Sequence, residues 1–385
     1  MGGCVELNLV KVKKVTGVYL NLKGYAEVFW TEQTGAGKTL RRACYTGRQD
    51  YMDITIYLAG SKHGEPFEIP AGQHILPFSR ELPHTLVTSI EGKWGFVRYT
   101  AKLVLERPWK FDNAYKVPFS VLRHVNLNRN IRAICHPNQI ENTKAYCCWP
   151  CSSNPMSVTV EIPISGYVPG QIVAIKYDVR NQSNKTVNLF KAKLIRIDTF
   201  ISMYPRPKEK CFRTVVAKVK NDGIGPRQNV TFKQYLKIPP LPPTSLSCSI
   251  ITVTYRITIE VDLRGWSKFP PINFPLTIGT TPLVNAAVPG YYYSSDTSAV
   301  IAQPTPSGPL LPHQSSEDLP PPSYREATNN GARVNIPTEE GAEICTVDWK
   351  KFNPKYLTYH KDDENELLRT AGSSPRPIDG PKPNN

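Results

Sequence analysis

Apolar and polar residues alternate along most of the first 280 residues. The longest uninterrupted example is Ile251–Leu263, in which every second side chain is apolar. Because successive side chains on a β-strand point to opposite faces, this pattern predicts a strand with one buried face and one solvent face. The same alternation predicts further strands over 18–30, 97–105 and 158–164.

Turn-forming tripeptides separate these predicted strands. They are Pro70-Ala71-Gly72, Val168-Pro169-Gly170 and Asn221-Asp222-Gly223, and such residues mark the points where a hairpin or sandwich reverses direction. No long apolar stripe with helical spacing occurs before residue 280. A parallel sheet would need crossover helices and strands buried on both faces, so the pattern predicts an all-β protein built from antiparallel β-sandwiches.

The alternation is interrupted twice, and the interruptions predict the domain boundaries. Near 130–155 it gives way to His136-Pro137-Asn138 and a cysteine cluster, and after Pro282 it stops. The chain from Ala286 onward contains 14 of the 36 prolines, and such a segment buries too little apolar surface to offset the entropy of ordering it. We therefore predict sandwich domains over 1–129 and 154–282, a junction over 130–153 and a disordered, Pro-rich tail over 283–385.

Charge divides along the same boundary. The chain has 47 Lys and Arg against 32 Asp and Glu, a formal charge of +15, but the part from Ala286 onward has 9 basic and 13 acidic residues. The body is therefore basic and the tail acidic, which suggests an anionic partner for the body: phosphate, an acidic membrane surface or an acidic protein. Six clustered cations are candidates for contacting a membrane or another anionic partner, or else form an ordinary solvated face: Lys11, Lys13, Lys38, Arg41, Arg42 and Arg48.

A Pro-rich motif in the tail is the sharpest functional signal. In Leu319-Pro320-Pro321-Pro322-Ser323-Tyr324, hereafter the first motif, consecutive prolines fix φ and form a polyproline II ridge. Pro321, Pro322 and Tyr324 can then fill the adjacent aromatic-lined grooves of a WW domain. The alternative is a Pro-rich linker that contains a tyrosine by chance.

Pro354-Lys355-Tyr356, hereafter the second motif, follows Phe352 and Asn353 and lacks the second proline. Pro354 and Tyr356 form either a weaker docking site or an unspecific segment of the tail.

The signals for an enzyme or a metal site are weak. Thr34–Thr39 resembles the end of a phosphate-binding P-loop, but Glu32 replaces the first glycine and no helix follows, so we predict a flexible hairpin turn. Cys147, Cys148 and Cys151 have zinc or redox spacing without a second pair or a βαβ context. Three roles are possible for these cysteines: structural thiols, metal ligands or sites of lipid attachment. No arrangement of catalytic side chains stands out, so we predict no enzyme and no cofactor.

Localisation follows from what the sequence lacks. No apolar run reaches the 18 or so residues of a membrane helix, and Met1–Val10 has no signal-peptide core. Nine cysteines, an odd number, do not suggest a secreted disulfide framework. We predict a cytoplasmic protein with reduced thiols.

Three blocks occur in order along the first half of the chain: Ile69–Phe78, Glu91–Tyr99 and Leu105–Trp109. They resemble the amino-terminal domain of the arrestins. Three more blocks follow: Cys147–Pro155, Gly166–Gln171 and Val179–Ser183. These are similar to the start of the arrestin carboxy-terminal domain. Together with the first motif, the blocks resemble the α-arrestins, or arrestin-domain-containing proteins, and the resemblance covers about residues 5 to 285 and the first motif.

The resemblance implies two immunoglobulin-like sandwiches and an adaptor that couples membrane receptors or transporters to HECT-type ubiquitin ligases. The resemblance also implies that the ligase docks on Pro321, Pro322 and Tyr324, and that the protein is recruited to the plasma membrane and endosomes. The family usually has a further strand or two before the segment that begins near Cys4, so an amino-terminally short form with an uncovered sheet edge is expected. Two alternatives remain. One is a basic module that binds nucleic acid or an anionic membrane, although the sequence has no aromatic-basic RNA-binding motif. The other is a redox or metal-linked regulator that uses the cysteine cluster.

Overall fold

The structure, a computed structural model, describes residues 1–34, 41–148, 151–152, 154–283, 343–345 and 353–358. Its first nine strands are β1 (Gly2–Leu9), β2 (Lys13–Val15), β3 (Gly17–Thr34), β4 (Arg41–Gly60), β5 (Phe67–Ile69), β6 (Gly72–Ser79), β7 (Ile90–Gly92), β8 (Gly95–Glu106) and β9 (Asn113–Phe119). A 3-10 helix (Leu127–Asn130) and the short α1 (Ile131–Ile134) follow.

The remaining strands are β10 (Asn138–Lys144), β11 (Cys147–Cys148), β12 (Cys151–Ser152), β13 (Met156–Ile162), β14 (Gly166–Tyr167), β15 (Ile172–Asn181), β16 (Val187–Ser202), β17 (Lys208–Asp222), β18 (Asn229–Lys237), β19 (Ile251–Leu263), β20 (Ile272–Ile278) and β21 (Glu343–Cys345).

The first sandwich is built on the long β3–β4 hairpin. Its main sheet has the order β21-β9-β8-β3-β4, with β7 added to β8. Two smaller sheets, β1-β6 and β2-β5, complete the domain. Alternate side chains of β3, among them Val18, Leu20 and Leu22, are buried in the core, as the alternation predicts.

The second sandwich has two larger sheets. One has the order β10-β13-β15-β18 and the other β14-β20-β19-β16-β17. Strand β19 occupies the span predicted from the alternation, and its apolar residues Ile251, Val253 and Ile257 are buried. The stacked rings of Tyr177 and Phe232, 4.5 Å between centroids, fill part of the core. The all-β, two-sandwich fold is confirmed.

Two parts of the structure differ from the predicted layout. Strand β10 lies within the predicted junction, pairs with β13 along its whole length and thus belongs to the second sandwich. Two pieces of the predicted tail have partners in the body: β21 pairs in parallel with β9, and 353–358 packs against the body, with Pro354 and Thr358 buried. Both pieces gain partners from strands far away in sequence, which composition does not reveal.

Candidate functional site

The two sandwiches meet where the β16–β17 hairpin of the second reaches the first. Trp94, in the turn between β7 and β8, packs edge-on against Phe200 and Phe212, with centroids 5.8 Å and 5.6 Å away. The ammonium group of Lys210 lies 4.5 Å from the centroid of the Trp94 ring. Lys208 forms an ion pair with Glu32 of β3. This aromatic and charged contact fixes one side of the interface.

Backbone and amide hydrogen bonds continue the interface along β4. The Thr46 amide donates to the Tyr204 carbonyl (2.9 Å), and the Met203 amide donates to the Thr46 carbonyl (2.8 Å). The amide and hydroxyl of Ser249 both donate to Oε1 of Gln49, at 3.2 Å and 2.8 Å. The sandwiches are therefore joined by directional contacts as well as apolar ones.

A buried ion pair lies beside this interface. Nε of Arg196, on β16, donates to Oδ1 of Asp198 at 2.6 Å, and the two side chains are 14% and 5% exposed. A terminal guanidinium nitrogen of the same side chain, Nη2, donates to the Glu91 carbonyl of the first sandwich at 3.2 Å. Burial raises the pKa of the Asp198 carboxyl by more than Arg196 lowers it.

The second motif packs into the same place. The Tyr356 hydroxyl donates to the Ser89 carbonyl at 3.1 Å, and the Lys355 amide donates to Oγ of Ser120 at 3.2 Å. Burial of the hydroxyl raises the pKa of Tyr356, and the charge of Arg196 opposes that rise. We call three residues the interdomain site: Ser89 and Ser120, which accept hydrogen bonds from the segment, and Arg196, whose charge acts on Tyr356.

The interdomain site is built by local structure on both sides. Ser89 precedes β7, is 1% exposed, and exchanges hydrogen bonds with Val121, whose amide donates to the Ser89 hydroxyl. On the other side, Arg196 lies opposite Tyr255 of β19 in the sheet register. The Tyr255 hydroxyl donates to the Pro242 carbonyl at 2.7 Å. Rigid strands therefore fix the groups around Tyr356.

Comparison with known proteins gives the family. Residues 1–128 match the family model "Arrestin (or S-antigen), N-terminal domain", and residues 152–283 match "Arrestin (or S-antigen), C-terminal domain". The chain belongs to the arrestin family. The second match begins after β10, which the structure adds to the arrestin carboxy-terminal domain.

Similar proteins carry arrestin-domain names. The chain is 30% identical over 292 residues to "Arrestin domain-containing protein 4" of Mus musculus, covering 73% of this chain and 68% of that protein. It is 30% identical over 303 residues to "Arrestin domain-containing protein 17" of Caenorhabditis elegans, covering 73% and 66%. The resemblance found in the sequence is confirmed, and the arrestin family supports an adaptor role for the chain.

The first motif, with Pro321, Pro322 and Tyr324, lies outside the described residues of this arrestin-domain chain. The second motif is described, and there Pro354 is buried and Tyr356 is half-buried.

The structure does not gather the predicted basic residues into one surface. Lys11 is exposed and, with Lys13 of β2, lies near the start of β3, whereas Arg42 lies at the opposite end of the β3–β4 hairpin. At about 3.3 Å per residue the two places are on the order of 50 Å apart. Lys38 and the side chain of Arg41 lie outside the described residues.

Arg48, the sixth predicted cation, already has partners within its own domain. It forms ion pairs with Asp50 (2.9 Å) and Glu27 (3.8 Å), and its guanidinium carbon lies 4.3 Å from the centroid of the Tyr25 ring. An anion would have to compete with two carboxylates for this side chain.

The cysteine cluster forms the β11–β12 pair, in which Cys148 lies opposite Cys151; their side chains lie outside the described part. Among the described residues, no group of three or more His, Cys, Asp or Glu side chains is arranged to hold a metal ion. The described part also contains no helix with the length and apolarity needed to span a membrane.

The sequence contained one hint of the interdomain site. Glu91, Trp94 and Arg98 belong to the Glu91–Tyr99 block that resembles arrestins, and in the structure they surround the β7–β8 turn. Arg98 forms a two-pronged ion pair with Glu91, at 2.6 Å and 2.9 Å. Ser89 and Arg196 had no such signal, because a serine before a strand and an arginine within one are common.

Proposed function

We propose that this arrestin-domain chain is a cytoplasmic adaptor that couples membrane receptors or transporters to WW-domain HECT-type ubiquitin ligases. The bound cargo would then be ubiquitinated, internalised and sorted through endosomes. The protein itself would move from the cytoplasm to the plasma membrane and endosomes with its cargo.

The first motif is the observation that carries this proposal. It follows two arrestin domains, and it has the two prolines and the tyrosine that a WW groove receives. A polyproline II segment is already extended before binding, so docking orders little additional chain. The folded domains supply cargo contacts, and the motif supplies the ligase.

Tyr324→Ala is expected to weaken the binding of an isolated WW domain to the full chain by about 2 kcal/mol or more, since aromatic anchors dominate such interfaces. This corresponds to roughly thirtyfold in Kd. Isothermal titration of the purified chain with the WW domain of a HECT-type ligase measures the change.

Ser323→Ala is the matched control, because the residue between the prolines and the tyrosine is not one of the groove-filling positions. It should retain the affinity of the unmodified chain. Binding of the Tyr324→Ala chain with unchanged Kd would remove the ligase-docking assignment.

The cargo and membrane part of the proposal is tested in cells by proximity labelling. The intact chain and the Tyr324→Ala chain should label the same membrane proteins, whereas ligase labelling should fall in the variant. A point variant is preferable to removal of the tail, because β21 and 353–358 contact the body. If neither the intact chain nor the Tyr324→Ala chain labelled membrane proteins, the cargo role would be contradicted.

A further inference from the structure

Large apolar side chains are exposed at one end of the first arrestin domain. In the loop between β8 and β9, Trp109 is fully exposed and Phe111 is 84% exposed. Val10 and Val12, in the connection between β1 and β2, are exposed as well. A single exposed apolar residue is ordinary, but a group of them that includes a fully exposed tryptophan indicates a surface that binds an apolar partner.

Hydrogen bonding between β8 and the start of β3 brings these two segments together. The amide of Thr16, which directly precedes β3, donates to the Glu106 carbonyl at the end of β8 at 2.9 Å. Val12 precedes Thr16 by four residues, and Trp109 follows Glu106 by three. Because one residue spans at most about 3.6 Å of chain, the Cα atoms of Val12 and Trp109 each lie within about 15 Å of this hydrogen bond. The two segments therefore belong to the same end of the domain.

The β8–β9 loop has a fixed shape that turns Trp109 outward. Oδ1 of Asp112 accepts a hydrogen bond from the Arg107 amide at 3.0 Å, and Oδ1 of the buried Asn113 accepts one from Nη1 of Arg107 at 3.4 Å. Between these tied ends, Trp109 has a φ of +61°. This left-handed conformation is unfavourable for a bulky residue. The loop thus holds Trp109 in an unfavourable backbone conformation with its ring in solvent.

A cation lies between the two apolar residues of each segment. Lys110 separates Trp109 from Phe111, and Lys11 separates Val10 from Val12; both lysines are exposed. A lysine in such a position can lay its methylene groups along apolar neighbours and keep its ammonium group at a polar boundary. Both segments therefore combine apolar contact with a positive charge.

The neighbouring loops add no excess of negative charge. Lys14 of β2 is exposed, and so is Lys62 in the loop after β4, which begins next to Gly60, the register partner of Gly17 at the start of β3. Together with Lys11 and Lys110 they make four exposed lysines. The exposed carboxylates of the same stretches are those of Glu65, Glu68 and Asp112. An anionic surface approaching this end would meet the lysines without a net repulsion.

Aromatic rings beside lysines match the headgroup region of an anionic lipid bilayer. A tryptophan ring is stable at this depth because its body contacts apolar carbon while its N–H reaches polar groups. Binding of such segments grows with the apolar area that enters the boundary and with the attraction of cations to anionic lipids. Loop residues can enter a fluid surface that needs no matching shape. A lipid surface therefore fits both segments.

We propose that Val10–Val12 and Trp109–Phe111 form a lipid-contact site, through which the first arrestin domain binds an anionic membrane surface. The apolar side chains enter the headgroup region, and Lys11 and Lys110 contact the anionic headgroups. The place of this contact in the cell rests on the proposed function, whereas the contact itself needs neither cargo nor ligase.

The first experiment measures sedimentation of the full chain with protein-free vesicles of phosphatidylcholine mixed with phosphatidylserine. Trp109→Ala should lower partition into these vesicles about tenfold, from the apolar area of one ring. Because Trp109 is fully exposed, the circular dichroism spectrum should not change. Tyr235→Ala is the matched control, since Tyr235 is an exposed aromatic residue on β18 with lysines two positions to each side, and it should retain full partition.

Two results of this experiment would overturn the proposal. If the unmodified chain failed to sediment with the vesicles, the surface would belong to a protein partner and not to lipid. Equal partition of the Trp109→Ala and unmodified chains would place the membrane contact elsewhere in the molecule.

The second experiment tests the charge and the source of the anion. Lys11→Gln and Lys110→Gln should each lower partition into the phosphatidylserine vesicles about fivefold, and should leave the weak binding to phosphatidylcholine alone unchanged. Soluble glycerophosphoserine in excess should not displace the chain, because the apolar side chains contact the bilayer. Displacement by this soluble headgroup would indicate a site for a free anion and would contradict the lipid-contact site.

The outcomes separate this proposal from the proposed function. Trp109→Ala should leave titration with the WW domain unchanged, and Tyr324→Ala should leave vesicle partition unchanged. If the vesicles bind and the WW domain does not, the ligase-docking assignment fails and the lipid contact stands. The reverse result removes the lipid contact and leaves the ligase docking intact.

Discussion

Arg196→Met is expected to lower the free energy of unfolding by about 3–5 kcal/mol, the loss typical when one partner of a buried ion pair is removed. The substitution leaves the Asp198 carboxylate, 5% exposed, without its partner at 2.6 Å. It also removes the donor to the Glu91 carbonyl at the domain interface. Urea unfolding followed by circular dichroism measures the change.

The second domain offers a matched control for this variant. Arg180 and Asp178 of β15 are also two residues apart on one strand, but their side chains are 67% and 40% exposed and their distance is 3.4 Å. An exposed ion pair contributes about 0–1 kcal/mol, so Arg180→Met should be close to neutral. Equal losses in the two variants would show that the burial of Arg196 carries no special weight.

The Arg196→Met chain should also respond differently to pH. Burial raises the pKa of Asp198 and Arg196 lowers it, so removal of Arg196 raises it further. A carboxyl with a higher pKa in the folded than in the unfolded protein favours folding when it is protonated. The deficit of the variant relative to the unmodified chain should therefore shrink as the pH falls through the raised pKa towards the unfolded value of about 3.9. Arg180→Met should show no such trend.

The alternation in the sequence predicted the strands whose two faces differ most. Strand β19 agrees with its predicted span, and β3 and β8 contain theirs. Strand β10 escaped prediction because its sequence, NQIENTK, has a single aliphatic residue, Ile140. Strand β10 lies at the edge of its sheet, where few side chains need to be apolar. Its hydrogen-bonded pairing with β13, and not an apolar pattern, makes it a strand.

The interdomain site could be predicted only in part, and the reason differs from that for β10. The Pro354 and Tyr356 pattern was visible as a short linear motif, and such motifs describe a ligand without its receptor. Ser89, Ser120 and Arg196 come from three separate stretches of chain, and their meeting depends on how two sandwiches pack. Local sequence specifies each strand, whereas the site arises from contacts more than 200 residues apart in sequence.

Gly223→Ala is expected to destabilise the second domain by about 3 kcal/mol, at the upper end of what overpacking usually costs. A Cβ at this position would lie 1.8 Å from the Val187 carbonyl oxygen and 2.6 Å from the Asn188 carbonyl carbon. These are backbone atoms at the start of β16, and the Val187 amide is held by the Ile224 carbonyl at 2.9 Å. Neither strand end can move away without breaking that contact.

Gly223 follows β17, where the chain crosses to the other sheet of the sandwich. A glycine is needed there because the backbone of β16 comes so close, and not because a turn needs positive φ. Gly225→Ala, two residues further along the same loop, is the matched control, because its added Cβ would meet only the flexible Gln228 side chain at 3.2 Å. It should cost less than about 1 kcal/mol. The urea midpoint of each variant, at unchanged m-value, gives the comparison. Similar midpoints for the two variants would mean that β16 yields at Val187, and that the crossing between the sheets is less tightly packed than the structure shows.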